Sequence, residues 1–75
     1  MAKPRRSFAV CIRNDGYEVS LELRKIYEVI PDAAAARHRR LRVIDESGED
    51  YLFPASWFAA LELPAPTKRA VMAAV

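Results

Sequence analysis

Apolar residues in this chain recur at every second position in short runs, and each run is cut off by residues that turn the backbone. Phe8, Val10 and Ile12 fall on one side of the first run, and Ala9, Cys11 and Arg13 on the other. A period of two is the mark of a half-buried strand. Asn14-Asp15-Gly16 ends it with strong turn chemistry, because glycine takes positive φ without penalty and Asn and Asp bond their own backbone. A second β-type stretch covers residues 17–30, with Val19, Leu21 and Leu23 alternating with Ser20 and Glu22. It is too long for one strand in a small domain. The reading is a bend near residues 23–25, where Arg24-Lys25 interrupts the pattern, and a main strand over residues 26–30.

Pro31-Asp32 stops that strand, and Ala33 to Ala36 suit one helical turn. Leu41 to Ile44 and Tyr51 to Phe53 then read as a hairpin around an acidic turn at Gly48, closed by Pro54, which has no N–H for the ladder. Ala55 to Phe58 is expected to form a tight helical turn and residues 60–63 a last short strand. After Pro64 and Pro66, Thr67 is placed to cap a short helix over residues 68–74, with Val71, Met72 and Val75 as its apolar side. The expected division is a flexible basic tail over residues 1–7, a β domain over 8–63 and a C-terminal helix or tail over 64–75.

With 75 residues there is room for one domain. Its 52% hydrophobic content is enough for a core and sets it apart from disordered sequences. Cys11 is the single cysteine and His38 the single histidine. They lie in separate segments, so neither a disulfide nor a four-ligand zinc site is expected. Cys11 sits in an alternating apolar run and reads as a buried thiol rather than a nucleophile. The chain is therefore read as no enzyme, with no cofactor and no metal. No apolar run reaches the ~20 residues of a membrane span, and residues 8–12 are too short for a signal-peptide core. The expected setting is the cytoplasm.

The order of these elements resembles the Src-homology-3 family. The sharpest match is Tyr51-Leu52-Phe53-Pro54-Ala55-Ser56-Trp57-Phe58, similar to that family's closing segment, where a strand meets a proline, small polar residues, an aromatic and an apolar core residue. Residues 21–30 resemble its diverging turn and second strand, and Gly48 falls where its central hairpin turns. Residues 42–51 also resemble small uncharacterised bacterial proteins, a likeness that implies no activity. The Src-homology-3 resemblance implies a mainly β fold, a small five-stranded barrel, which the short C-terminal helix would follow. It further implies a shallow protein- or peptide-binding face formed by Pro54, Ser56 and Trp57, to which the reading of the aromatics adds Tyr17. The chain departs from the family in two places. Leu41-Arg42 stands where the family has a tryptophan, and the acidic loop after the first strand is shortened to residues 14–20.

Beside that face stands a second candidate. Arg37, Arg39, Arg40 and Arg42 form the densest charge cluster, and guanidinium forks suit the phosphates of RNA or DNA. Lys3, Arg5 and Arg6 would extend that footprint if the tail folds near it. The plainer account is a solvated loop, with Arg42 paired across the hairpin to Asp50 or a neighbour. The net charge of +2 is close to balance and an acidic turn lies at the other end of the same hairpin, which favours the solvated loop. Asp45, Glu46, Glu49 and Asp50 lack the ligand array of a calcium loop and read as a solvated turn. The aromatics either close the sheet or leave Trp57 and one or two tyrosines partly exposed as a binding surface. The C-terminal segment has three open roles: packing on its own domain, pairing with a second copy, or binding a partner.

Overall fold

The computed structural model describes residues 7–73. Five strands, β1 (Ser7–Cys11), β2 (Ile26–Ile30), β3 (Arg40–Ile44), β4 (Asp50–Pro54) and β5 (Phe58–Leu61), form one antiparallel sheet in the order β4-β3-β2-β1-β5. Helix α1 (Ala33–Arg37) joins β2 to β3, a 3-10 turn (Ala55–Trp57) joins β4 to β5, and α2 (Ala65–Ala73) follows the sheet. The fold is mainly β with a short C-terminal helix, as the alternation implied. The sheet is open, however, and does not close into a barrel. Among the described residues β4 pairs only with β3, and β5 only with β1. Pro54 offers no N–H at the outer edge of β4, and the rings of Tyr17 and Trp57 pack there against Phe53 of β4.

The two turns most legible in the sequence are where they were expected. Gly16 and Gly48 both take positive φ, +81° and +84°, a region an L side chain enters only with strain. At α1, Asp32 is the N-cap: its carboxylate accepts the Ala35 N–H at 2.9 Å. Elsewhere the bounds shift. Ser7, expected in the tail, opens β1, while Met1 to Arg6 lie outside the described residues. β5 begins two residues early, at Phe58. α2 begins at Ala65, so Thr67 sits inside the helix and does not cap it. Pro66 is tolerated there because first-turn N–H groups have no intrahelical acceptor. Ala74 and Val75 lie outside the described residues.

The core comprises Ala9, Cys11, Leu21, Tyr27, Val29, Val43, Phe53 and Phe58, with Leu41 and Trp57 packed against it. It decides one question that the alternation left open and corrects one expectation. In β1 the core face is Ala9 and Cys11, and Ile12 is exposed. Phe8 is also buried, but by the alternation of the strand it points to the opposite side of the sheet. There it shares a groove with Ile26, Ile44, Val71 and Met72. Phe8 on one side of β1 and Ala9 and Cys11 on the other are all buried, so both of its faces are covered and alternation alone cannot say which is the core. The correction concerns residues 17–25, which contain no strand. Their alternating apolar residues do not share one environment: Leu21 is fully buried, Val19 is 93% exposed and Leu23 is exposed.

Candidate functional site

The loop over residues 12–25 is a series of turns held from within. Tyr17 N–H donates to Asn14 C=O at 2.8 Å, and Ser20 and Leu21 N–H both donate to Tyr17 C=O at 2.9 Å. The Asn14 side-chain amide donates to Leu21 C=O at 2.9 Å. Arg24, at φ +64°, turns the chain into β2, with its N–H donating to Cys11 C=O at 2.7 Å. Leu21 anchors the loop in the core, and Tyr17 is carried outward on it.

Tyr17 is 51% exposed. Its ring stands edge-on to Phe53 at 5.6 Å and to Trp57 at 5.5 Å, centroid to centroid. Phe53 and Trp57 are stacked at 6.5 Å, and Phe53 tilts against the core ring of Phe58. Edge-on geometry sets the positive rim of one ring against the negative face of another and adds about 0.5–1.5 kcal/mol per pair to plain burial. Residues distant in sequence, Tyr17 and Trp57, thus come together over the open side between β4 and β5. Ser56 is exposed in the 3-10 turn. Pro54 does not face the same way as Phe53: successive residues of β4 point to opposite sides, and Pro54 lies opposite Arg40 of β3.

The four arginines divide as well. Arg42 is doubly held, its Nε donating to Asp32 at 2.8 Å and its Nη1 to Asp50 at 2.9 Å. Asp32 is pulled below the ordinary carboxylate range, chiefly by the Ala35 N–H and then by Arg42. Arg37 ends α1, Arg39 takes φ +56° and Arg40 opens β3, and all three are exposed. No carboxylate among the described residues forms an ion pair with them. His38 caps the C-terminus of α1 through its backbone N–H. Together with Asp32, Ala34, Leu52, Arg40 and Arg42 it borders a shallow hollow of about 540 Å³.

One polar network was not apparent from the sequence. The Tyr27 hydroxyl donates to Glu46 Oε2 at 2.5 Å and accepts the Glu22 N–H at 2.7 Å. Lys25 Nζ donates to Glu46 Oε1 at 2.8 Å. The Lys25 bond, then the Tyr27 bond, holds Glu46 below its ordinary pKa, while burial and the Glu46 bond raise that of Tyr27. Glu46 N–H also donates to Ser20 C=O at 3.0 Å, tying the acidic turn to the loop. Asp45 is buried and accepts the Ser47 N–H at 2.8 Å, so part of the acidic turn is structural. No spacing rule joins a tyrosine in one strand to a glutamate in a distant turn. Cys11 is fully buried, and burial raises its thiol pKa, the reverse of what a nucleophile needs.

Among the described residues no helix is long and apolar enough to cross a membrane. Compared with protein-family models, curated proteins and solved structures, the chain finds no match.

Proposed function

We propose that this chain is a Src-homology-3-like, non-enzymatic interaction module that binds another protein or peptide on the aromatic face of Tyr17 and Trp57, with Ser56 beside Trp57 in the chain and Pro54 at the margin. The observation that carries this reading is the half-exposed Tyr17 ring, edge-on to both Phe53 and Trp57. Rings held by other rings lose little freedom on binding, and rigid aromatic anchors supply much of the energy of protein interfaces. The strand–proline–3-10 turn–aromatic order from β4 to β5 supports the family resemblance. A single buried thiol suits a reducing compartment, the cytoplasm. Pull-down with the wild type, Tyr17→Ala and Trp57→Ala tests the site, with amide spectra confirming the fold of each. Partners recovered by the wild type should be lost with both variants. Unchanged recovery with a folded Tyr17→Ala protein overturns the assignment.

A second reading, RNA or DNA binding through Arg37, Arg39, Arg40 and Arg42, is favoured by the three exposed arginines that no described carboxylate neutralises. Arg42 contributes least in this reading, because Asp32 and Asp50 already hold it. The logarithm of the affinity should fall linearly with log salt, with a slope of about −0.7 to −0.9 per phosphate neutralised. Association that ignores salt, or none at low salt, removes this reading.

A further inference from the structure

The hollow between α1 and the β3–β4 hairpin sets two of the arginines beside His38 and an apolar wall. Its volume, about 540 Å³, is within the ~300–1,000 Å³ typical of small-ligand sites. On one side Arg42 is locked in plane, since Asp32 takes its Nε and Asp50 its Nη1. Its Nη2 takes part in neither bond. Two residues earlier on the same side of β3 is Arg40, exposed and held by no described carboxylate. His38 borders the hollow from the end of α1, while Ala34 and the exposed Leu52 supply the apolar wall.

We infer that this hollow recognises a phosphate group carried on a small planar or apolar body, with Arg40 and His38 as its direct donors and Arg42 as a fixed guanidinium beside them. Arginine's planar fork matches two phosphate oxygens at once, which a lysine cannot do. A group with several acceptor oxygens suits the site: Asp32 and Asp50 already occupy Nε and Nη1 of Arg42, so the Arg40 fork and the His38 ring are the donors left to meet those oxygens. The apolar wall then takes the body that bears the phosphate. This goes beyond the second reading, which spreads phosphate contacts over the whole loop: here one hollow and one free guanidinium make them. The phosphate could belong to a free nucleotide or to a nucleic-acid strand, and the two sources are separable by experiment.

The test is a titration of the full chain, followed by two-dimensional amide spectra, with inorganic phosphate, AMP and a short oligonucleotide. AMP should move the amides of His38, Arg40 and Leu52 saturably, and inorganic phosphate should do so more weakly. Arg40→Gln should weaken AMP binding by about tenfold, the usual effect of losing a charge-assisted hydrogen bond. Arg37→Gln, outside the hollow, should leave it unchanged. If Arg40→Gln loses its dispersed spectrum, Arg40→Lys, which keeps the charge and loses the fork, carries the comparison. If AMP is silent and the oligonucleotide moves the same amides, the site stands and the source is a strand. If neither ligand moves them, the hollow is refuted. It is equally refuted if Arg37→Gln and Arg40→Gln weaken oligonucleotide binding alike, an outcome that leaves the diffuse second reading in place.

Discussion

Leu21→Ala is the substitution that most directly tests how the aromatic face is built. Leu21 is fully buried although it lies in a loop without strand structure, and Tyr17 sits four residues earlier on the same turns. Removing a fully buried leucine side chain costs about 2–5 kcal/mol, transfer and cavity terms together. A domain of this length has a total stability of about 4–11 kcal/mol. A central loss of about 3 kcal/mol would therefore remove a quarter or more of it. At about 4–8 °C per kcal/mol, the midpoint of thermal unfolding should fall by about 12–24 °C. Urea unfolding followed by Trp57 fluorescence and by circular dichroism gives the number, and coincident transitions would license its two-state form. Val19→Ala, two residues away and 93% exposed, should change stability by no more than about 0.5 kcal/mol. If the two variants matched, or if Leu21→Ala cost under about 1 kcal/mol, loop 12–25 would not be anchored through Leu21. The placement of Tyr17 beside Trp57 would then need another cause.

The polar and thiol groups carry two more expected outcomes. Glu46 has its pKa lowered from the ordinary 4.5 by Lys25 and then Tyr27. Its contribution to stability is therefore complete above that ordinary value and is lost as pH falls through the lowered folded-state value. Glu46→Gln should be less stable than the wild type at pH 7 and approach it at strongly acidic pH, in unfolding midpoints measured across the range; a pH-independent difference would refute the linkage. Cys11, fully buried with its pKa raised by burial, should resist a thiol reagent at pH 8 in the folded protein. Labelling should rise in step with urea unfolding, and fast labelling of a protein shown to be folded would contradict the core placement.

Local chemistry decided much of the secondary structure. Gly16 and Gly48 needed positive φ, Pro31-Asp32 could stop a strand and start a helical turn, and Pro54 could not continue a central ladder. Each of these depends on a few neighbouring residues, and each was legible. The pairing of Arg42 with Asp50 was also one of the expected outcomes, because a hairpin register brings residues on adjacent strands side by side. The second partner, Asp32, came from the cap of α1 and could not be read from the hairpin.

What the sequence determined by itself was the mainly β architecture, the turn positions, the helical turns after Pro31 and Pro54, and the choice of Tyr17, Trp57 and the arginines as candidates. Only the tertiary structure decided which face of β1 meets the core and that Leu21 alone among Val19, Leu21 and Leu23 is buried. It also decided that the sheet stays open, that Glu46 serves Tyr27 and Lys25, and that Pro54 faces Arg40. The reason is range. Turn and strand preferences are set within a few residues of backbone, whereas burial and side-chain partnership depend on which distant segments cover a given face, and the alternation of a strand covered on both sides is silent about that.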